Sequence, residues 1–373
     1  MGKRSVITGM DVLSFVCKLC LSVVFLFSGF VKALDPMGGA IKLGEYAASV
    51  SVNMPFQVYL VGSILLAVFE FGLGLALLFK VHYRLSTWLV MMMMTFFTVL
   101  TLCIAIWNPV PDCGCFGDAV KLTNVQTFYK NLFLLPMSIF LFFMSTKRVV
   151  VRDRRLDYTF LVICFLAAVP LSAYALRHVP IIDFMPFKVG VNIPEAMVVE
   201  GEVHTTLIYR NIQTDKLEEF SLEDTEWYDT LKYEFVDTKI IQDNLPEIAE
   251  FSLYLDDENI GYDVLDGSKV VLVMGPIYTQ ANPEAIQNVE RLLAQADGDG
   301  YQSYYVSSED ISSSTMELGE FTLPSVFIDG VTRKMLLRAN FGVVVLHQGT
   351  IVAKWNGRDI PPVFTQRLRD VKN

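Results

Sequence analysis

Apolar residues run almost without interruption through five stretches of the first half of the chain, at 12–34, 56–79, 85–107, 129–146 and 158–177. A helix of about 20 apolar residues crosses a bilayer, so these stretches predict five membrane spans, the fourth being the shortest. Lys3 and Arg4 precede the first, as they would a signal peptide. That stretch is long, however, lacks a small-residue cleavage site and is followed by further spans, so it is expected to stay in the protein. Beyond 180 the pattern changes. Residues 181–190 read as an extended linker, and 196–266 alternate between turn signals, as short strands do. The last hundred residues predict a strand at 269–274 and a helix at 283–296 with Pro283 in its first turn. A strand at 303–306 follows, then a hairpin of 343–346 with 351–355 around His347-Gln348-Gly349-Thr350, and a closing helix at 363–371.

Charge sharpens the division. Residues 1–177 hold 15 Lys and Arg against 8 Asp and Glu, a net of +7, whereas 178–373 hold 15 against 32, a net of −17. With 53% hydrophobic residues over the 373-residue chain, this is a composite of a membrane half and an acidic soluble half. The acidic half argues against nucleic acid as a partner, because phosphates would repel it. Basic residues also set an orientation. Lys3 and Arg4, then Lys80 and Arg84, then Lys147, Arg148, Arg152, Arg154 and Arg155 fall in loops that alternate correctly for one side. The expectation is a multi-pass protein of a bacterial inner membrane with its N-terminus cytoplasmic. The 35–55 loop, the loop near residue 115 and the acidic C-terminal domain would then be periplasmic.

Candidate chemistry concentrates in Asp112-Cys113-Gly114-Cys115-Phe116-Gly117-Asp118, just past the Asn108-Pro109-Val110-Pro111 stop of the third span. Two glycines permit the tight turn that a Cys113–Cys115 disulfide would need, and so small a ring favours exchange with other thiols. Three readings stay open: a redox pair, a stapled turn and a metal site, the last with no histidine beside the pair. Glu70, inside the second span, either faces the bundle interior with a partner or is protonated, and is a candidate proton or quinone site. Cys17, Cys20, Cys103 and Cys164 read as small buried hydrophobes, and no cysteine follows Cys164. No phosphate loop, Ser-His-Asp arrangement or His/Glu metal motif is present, so no metal is expected and no cofactor is certain, a quinone being the one candidate.

Phe27-Ser28-Gly29-Phe30-Val31-Lys32-Ala33-Leu34-Asp35-Pro36, Lys42-Leu43-Gly44-Glu45-Tyr46, the Asp112–Asp118 stretch and Lys130-Asn131 together resemble the MauE branch of the DoxX-like membrane proteins over roughly residues 10–147. The resemblance implies a four-helix membrane bundle. It also implies a link to maturation of methylamine dehydrogenase, whose small subunit is rich in disulfides, and, through DoxX relatives, to sulfur-compound and quinone chemistry. The bundle-plus-tail layout resembles DoxX-family proteins of Bacteroidota.

The strand, helix, strand, hairpin, helix order of the tail resembles a thioredoxin fold. The turn at Gly275-Pro276-Ile277-Tyr278-Thr279-Gln280 lacks Cys-x-x-Cys, so this module is expected to be redox-inactive. The fold class is therefore a membrane α-helical bundle of four spans plus a fifth helix, followed by an extracytoplasmic thioredoxin-like domain. The segments are 1–147 (bundle), 148–178 (basic loop and fifth helix), 179–266 (linker and β-rich segment) and 267–373 (thioredoxin-like). The function expected is an accessory or assembly factor with candidate thiol–disulfide capacity at Cys113 and Cys115. Membrane lipid and a protein bound through the acidic domain are the expected partners. The alternative is a quinone-linked membrane thiol–disulfide oxidoreductase that supports disulfide formation in client proteins.

Overall fold

A computed structural model describes residues 9–110, 113–120, 122–146, 154–198, 203–212, 214, 216–221, 224–242, 248–275, 281–309 and 313–363. All but the first residue of the predicted closing helix at 363–371, together with Asp112, the 276–280 turn and most of the basic 147–155 loop, lies outside the described residues.

Helices α1 (Gly9–Leu34), α3 (Phe56–Leu78), α4 (Tyr83–Trp107) and α5 (Asn124–Thr146) are 23 to 26 residues long. At 1.5 Å per residue they measure about 35–39 Å, enough to cross a hydrocarbon layer of about 30 Å. The helix α2 (Pro36–Ser49) occupies most of what the sequence pattern treats as a loop. Its start is set by Asp35, whose side chain accepts from the Gly38 N–H, and by Pro36 in the first turn. Two helices form the fifth span, α6 (Arg154–Leu166) and α7 (Val169–Ala175). The break falls just before Pro170, whose ring and missing N–H end the preceding ladder. The described residues thus hold five helical stretches long and apolar enough to span a membrane.

The spans pack by inner faces and leave apolar outer ones. Leu21, Phe25, Leu73, Leu77, Met94, Leu134 and Leu141 are buried together in the bundle. Phe15, Phe96, Phe133 and Phe143 are 58–69% exposed, the arrangement expected of helices whose solvent is lipid. Helices α1 and α3 approach closely because a Cβ on Gly29 would strike the backbone of Ala67 and Phe71.

The C-terminal half begins with Met185 and Phe187, which do not lie free in a linker but are buried. After the short α8 (Ile193–Met197), strands β1 (Val203–Asn211), β2 (Leu217–Ser221) and β3 (Tyr233–Gln242) form an antiparallel sheet of order β2-β1-β3. The remaining elements are β4 (Tyr254–Leu255), β5 (Glu258–Asn259), α9 (Gly261–Asp266), β6 (Val270–Met274), α10 (Pro283–Gly298), β7 (Gln302–Ser307), β8 (Thr315–Leu318), β9 (Phe321–Phe327), α11 (Gly330–Leu336), β10 (Gly342–His347) and β11 (Thr350–Asn356). They build a mixed sheet of order β11-β10-β6-β7-β9-β4-β5, with β8 pairing β9. β6 and β7 are parallel, and β10 is antiparallel to β6. The predicted strands, helix and hairpin are all present. Gln348 and Gly349, both at positive φ, make the two-residue hairpin turn. One core on the sheet joins Phe187, Ile193, Phe251, Leu253 and Leu265 to Leu272, Val344 and Ile351, so segments on both sides of residue 266 share it.

Candidate thiol site at one end of the bundle

The site assembles where α1, α2, α3 and the α4–α5 loop meet. Asn108 closes α4 in the left-handed region, and Asn124 at the start of α5 donates to the Asn108 side chain (2.6 Å) and to the Val110 carbonyl (2.7 Å). The ends of the loop are therefore tied together. Within it Gly114 and Gly117 take φ of +63° and +53°, values that L side chains rarely adopt, so the glycines let the chain turn back on itself. The turn brings Sγ of Cys113 to 2.8 Å from Sγ of Cys115, both present as thiols.

Three polar groups hold the loop carbonyls. The Tyr46 hydroxyl, on α2, donates to the Cys113 carbonyl at 2.7 Å. Ser28 Oγ and Lys32 Nζ, both on α1, each donate to the Cys115 carbonyl at 2.7 Å. Lys32 also donates to Ser28 Oγ and to Glu70 Oε2, again at 2.7 Å each, which engages all three of its protons. Glu70 is 3% exposed and faces the bundle interior with Lys32 as its partner. A buried ion pair in hydrocarbon is costly unless both charges are satisfied, and here the loop carbonyl and Ser28 help satisfy the cation. Lys130, on α5, lies over the Phe116 ring at 4.1 Å, and Phe116 in turn packs on Phe27.

The two thiols are made unequal by this arrangement. Cys113 is lowered from its ordinary value to about 7, chiefly by the hydrogen bond from Cys115. Burial pushes the other way, and the Tyr46 hydroxyl and the charges of Lys130 and Lys32 add to the lowering. Cys115 is raised well above its ordinary value, first by donating that same hydrogen bond, then by burial and by the charge on Cys113. The two sulfurs titrate together, and the surroundings favour loss of the first proton from Cys113.

Beneath the pair lies a cavity of about 800 Å³ between α1, α2, α3, α4 and α5. Cys113, Cys115, Lys32, Glu70, Lys130 and Ser63 are among its lining residues, together with many apolar side chains. Ser63 Oγ is buried and has no hydrogen-bond partner among the described residues. Cys103 also lines the cavity, whereas Cys17 and Cys164 are buried elsewhere in the bundle. Among the described residues no cluster of three or more His, Cys, Asp or Glu could hold a metal ion.

The structure therefore brings together Cys113, Cys115 and Glu70, all three of the sequence-predicted residues, and links them through Lys32. The roles of Lys32, Tyr46 and Ser63 went unread in the sequence. For Lys32 a signal existed: a lysine in the last turn of the first apolar span, with a glutamate inside the second.

Residues 10–144 match the family model described as methylamine utilisation protein MauE. The match covers the four-span bundle and the Cys113–Cys115 loop and stops before the fifth span. No curated protein and no solved structure matches the chain.

Proposed function

We propose that this protein is an accessory or assembly factor of a bacterial inner membrane that exchanges thiols and disulfides through Cys113 and Cys115 on the periplasmic side. One observation carries the reading: two sulfurs 2.8 Å apart, with the surroundings lowering Cys113 and raising Cys115. As thiolate, Cys113 attacks one sulfur of a client disulfide, and the other client sulfur leaves and takes up a proton. Cys115 then gives up its proton and attacks Cys113, which releases the reduced client and leaves the pair as a disulfide. Run backward, the same steps oxidise a client dithiol. The strand order β11-β10-β6-β7 supports a thioredoxin-like reading of the acidic domain. That domain has no cysteine, so its part would be contact with a protein partner.

The test uses Cys115→Ala, which leaves Cys113 without the thiol that resolves its adducts. Spheroplasts carrying this variant should accumulate a reductant-sensitive mixed disulfide on a non-reducing gel, and a membrane-impermeant maleimide should compete for Cys113. Absence of any adduct, with Cys113 reduced and unchanged, would leave the pair a structural one without exchange. Labelling only after the membrane is permeabilised would reverse the orientation.

The cavity favours a second reading, in which a quinone takes electrons from the pair. Its volume and apolar lining suit a quinone ring, and the unpartnered Ser63 hydroxyl offers a donor for a carbonyl oxygen. Oxidation of the dithiol to the disulfide would pass two electrons and two protons to the quinone, giving the quinol. Purified, reduced protein should then be oxidised by a short-tailed, fully substituted quinone with saturable kinetics. Leu66→Trp, which places a larger side chain on the α3 wall of the cavity, should abolish the saturation. Equal, non-saturating rates in both proteins would remove the quinone from the scheme.

A further inference from the structure

The C-terminal domain reaches the thiol loop through one side chain. Arg338 follows α11, is 3% exposed, and lies 303 residues from the acid it meets. Its Nε donates to Asp35 Oδ2 at 3.0 Å, and the NH2 nitrogen of the guanidinium stands 2.8 Å from the same oxygen. The NH1 nitrogen donates to the Lys334 carbonyl at 2.8 Å, and NH2 lies 3.7 Å from Asp118 Oδ2. The space for the guanidinium exists because Gly38 has no side chain, since a Cβ there would lie 3.0 Å from it.

Both acids lead to the thiols. Asp35 caps α2, the helix that carries Tyr46, and Tyr46 holds the Cys113 carbonyl. Asp118 lies three residues beyond Cys115, at the end of the turn that brings the sulfurs into contact. Arg338 therefore ties one end of the loop to the helix that holds its other end. Nearby contacts fix the same placement of the domain. Lys334 lies over the Phe56 ring at 4.1 Å, Lys354 pairs with Asp183 at 2.7 Å, and His178 pairs with Asp359 at 2.8 Å.

We propose that Arg338 is a positioning residue for the Cys113–Cys115 pair, which makes the C-terminal domain part of the thiol site. The inference rests on the thiol reading above for its importance, but its geometry and its test do not require a client. Freed from Arg338, the loop loses the tie at Asp118, α2 loses a partner for its capping acid, and the two sulfurs are no longer held in contact. A buried guanidinium between two carboxylates also predicts that the charge, and not only the volume, is needed.

The experiment compares full-length Arg338→Met, Arg338→Lys and Asp118→Asn with the unaltered protein. For each, the pH dependence of Cys113 alkylation is measured alongside thermal stability. Arg338→Met is expected to move the alkylation midpoint from near 7 toward the ordinary thiol range. At pH 7 that lowers the thiolate fraction, and with it the labelling rate, by up to about fifteenfold. Arg338→Lys should recover part of the rate, and Asp118→Asn should give a smaller slowing because Asp35 still holds the arginine. Lower stability with an unmoved midpoint in both Arg338→Met and Asp118→Asn would make Arg338 a structural tie only and overturn the proposal. If Arg338→Met does not fold, the Asp118→Asn midpoint decides alone. A moved midpoint without any mixed disulfide in the Cys115→Ala trap would keep the positioning role and remove the exchange reading.

Discussion

Replacing Lys32 with methionine is expected to destabilise the bundle by about 3–5 kcal/mol, the cost of leaving a buried charge without its partner. Lys32 and Glu70 have side chains 10% and 4% exposed, so little water is at hand to replace the lost contact. The same change strips one donor from Ser28 and one from the Cys115 carbonyl. The double variant Lys32→Met with Glu70→Gln removes both charges at similar volume and should recover most of the loss, since apolar or neutral replacement of a whole buried pair is often nearly neutral. Thermal unfolding of the unaltered protein, Lys32→Met, Glu70→Gln and the double variant in lipid nanodiscs measures the cycle. The idea fails if the single and double variants melt alike, because the two charges would then not depend on each other.

The second large effect concerns reactivity. Alkylation of Cys113 should rise through a midpoint near pH 7, because the thiolate is the nucleophile and Cys113 is lowered to about that value. Below the midpoint both thiols are protonated. Above it Cys113 carries the charge while Cys115, raised well above its ordinary value, keeps its proton. Cys115→Ala removes the donor that contributes most to the lowering and leaves the burial that opposes it. The midpoint should therefore rise to the ordinary thiol range of about 8.5 or beyond, and labelling at pH 7 should fall by about fifteenfold or more. Lys130→Gln should shift the midpoint in the same direction by less, since its charge acts less strongly than the hydrogen bond. Mass spectrometry of alkylated peptides across pH 5–9 gives both midpoints. Coincident profiles for the unaltered protein and Cys115→Ala would show that the two sulfurs do not share a proton.

Much of the architecture could be read from local pattern. Continuous apolar runs have one stable outcome in lipid, so the spans are found within a few residues of their predicted ends. The start of α5 was missed by five residues because Asn124 to Phe128 is polar enough to look like loop, although it is helical and tied to Asn108. Helix α2 was missed because Gly38, Gly39 and Gly44 weaken its signal, whereas its start depends on a cap at Asp35. The hairpin formed by β8 and β9 was also missed, since Pro324 within β9 reads against a strand.

The sequence by itself determined which segments enter a membrane, where the thiols lie, that the acidic half holds none, and that Glu70 must find a partner or a proton. These follow from composition and from near neighbours in the chain. Only the tertiary structure decided who that partner is. Lys32 and Glu70 are 38 residues apart and meet because Gly29 lets α1 and α3 close together. It likewise decided which thiol is lowered and which raised, since Cys113 and Cys115 are alike in sequence and differ in the burial and donors folded around them. The reach of Arg338 across 303 residues to Asp35 belongs to the same class. Electrostatic pairing in a low-dielectric interior depends on distance in space, and separation along the chain carries almost no information about it.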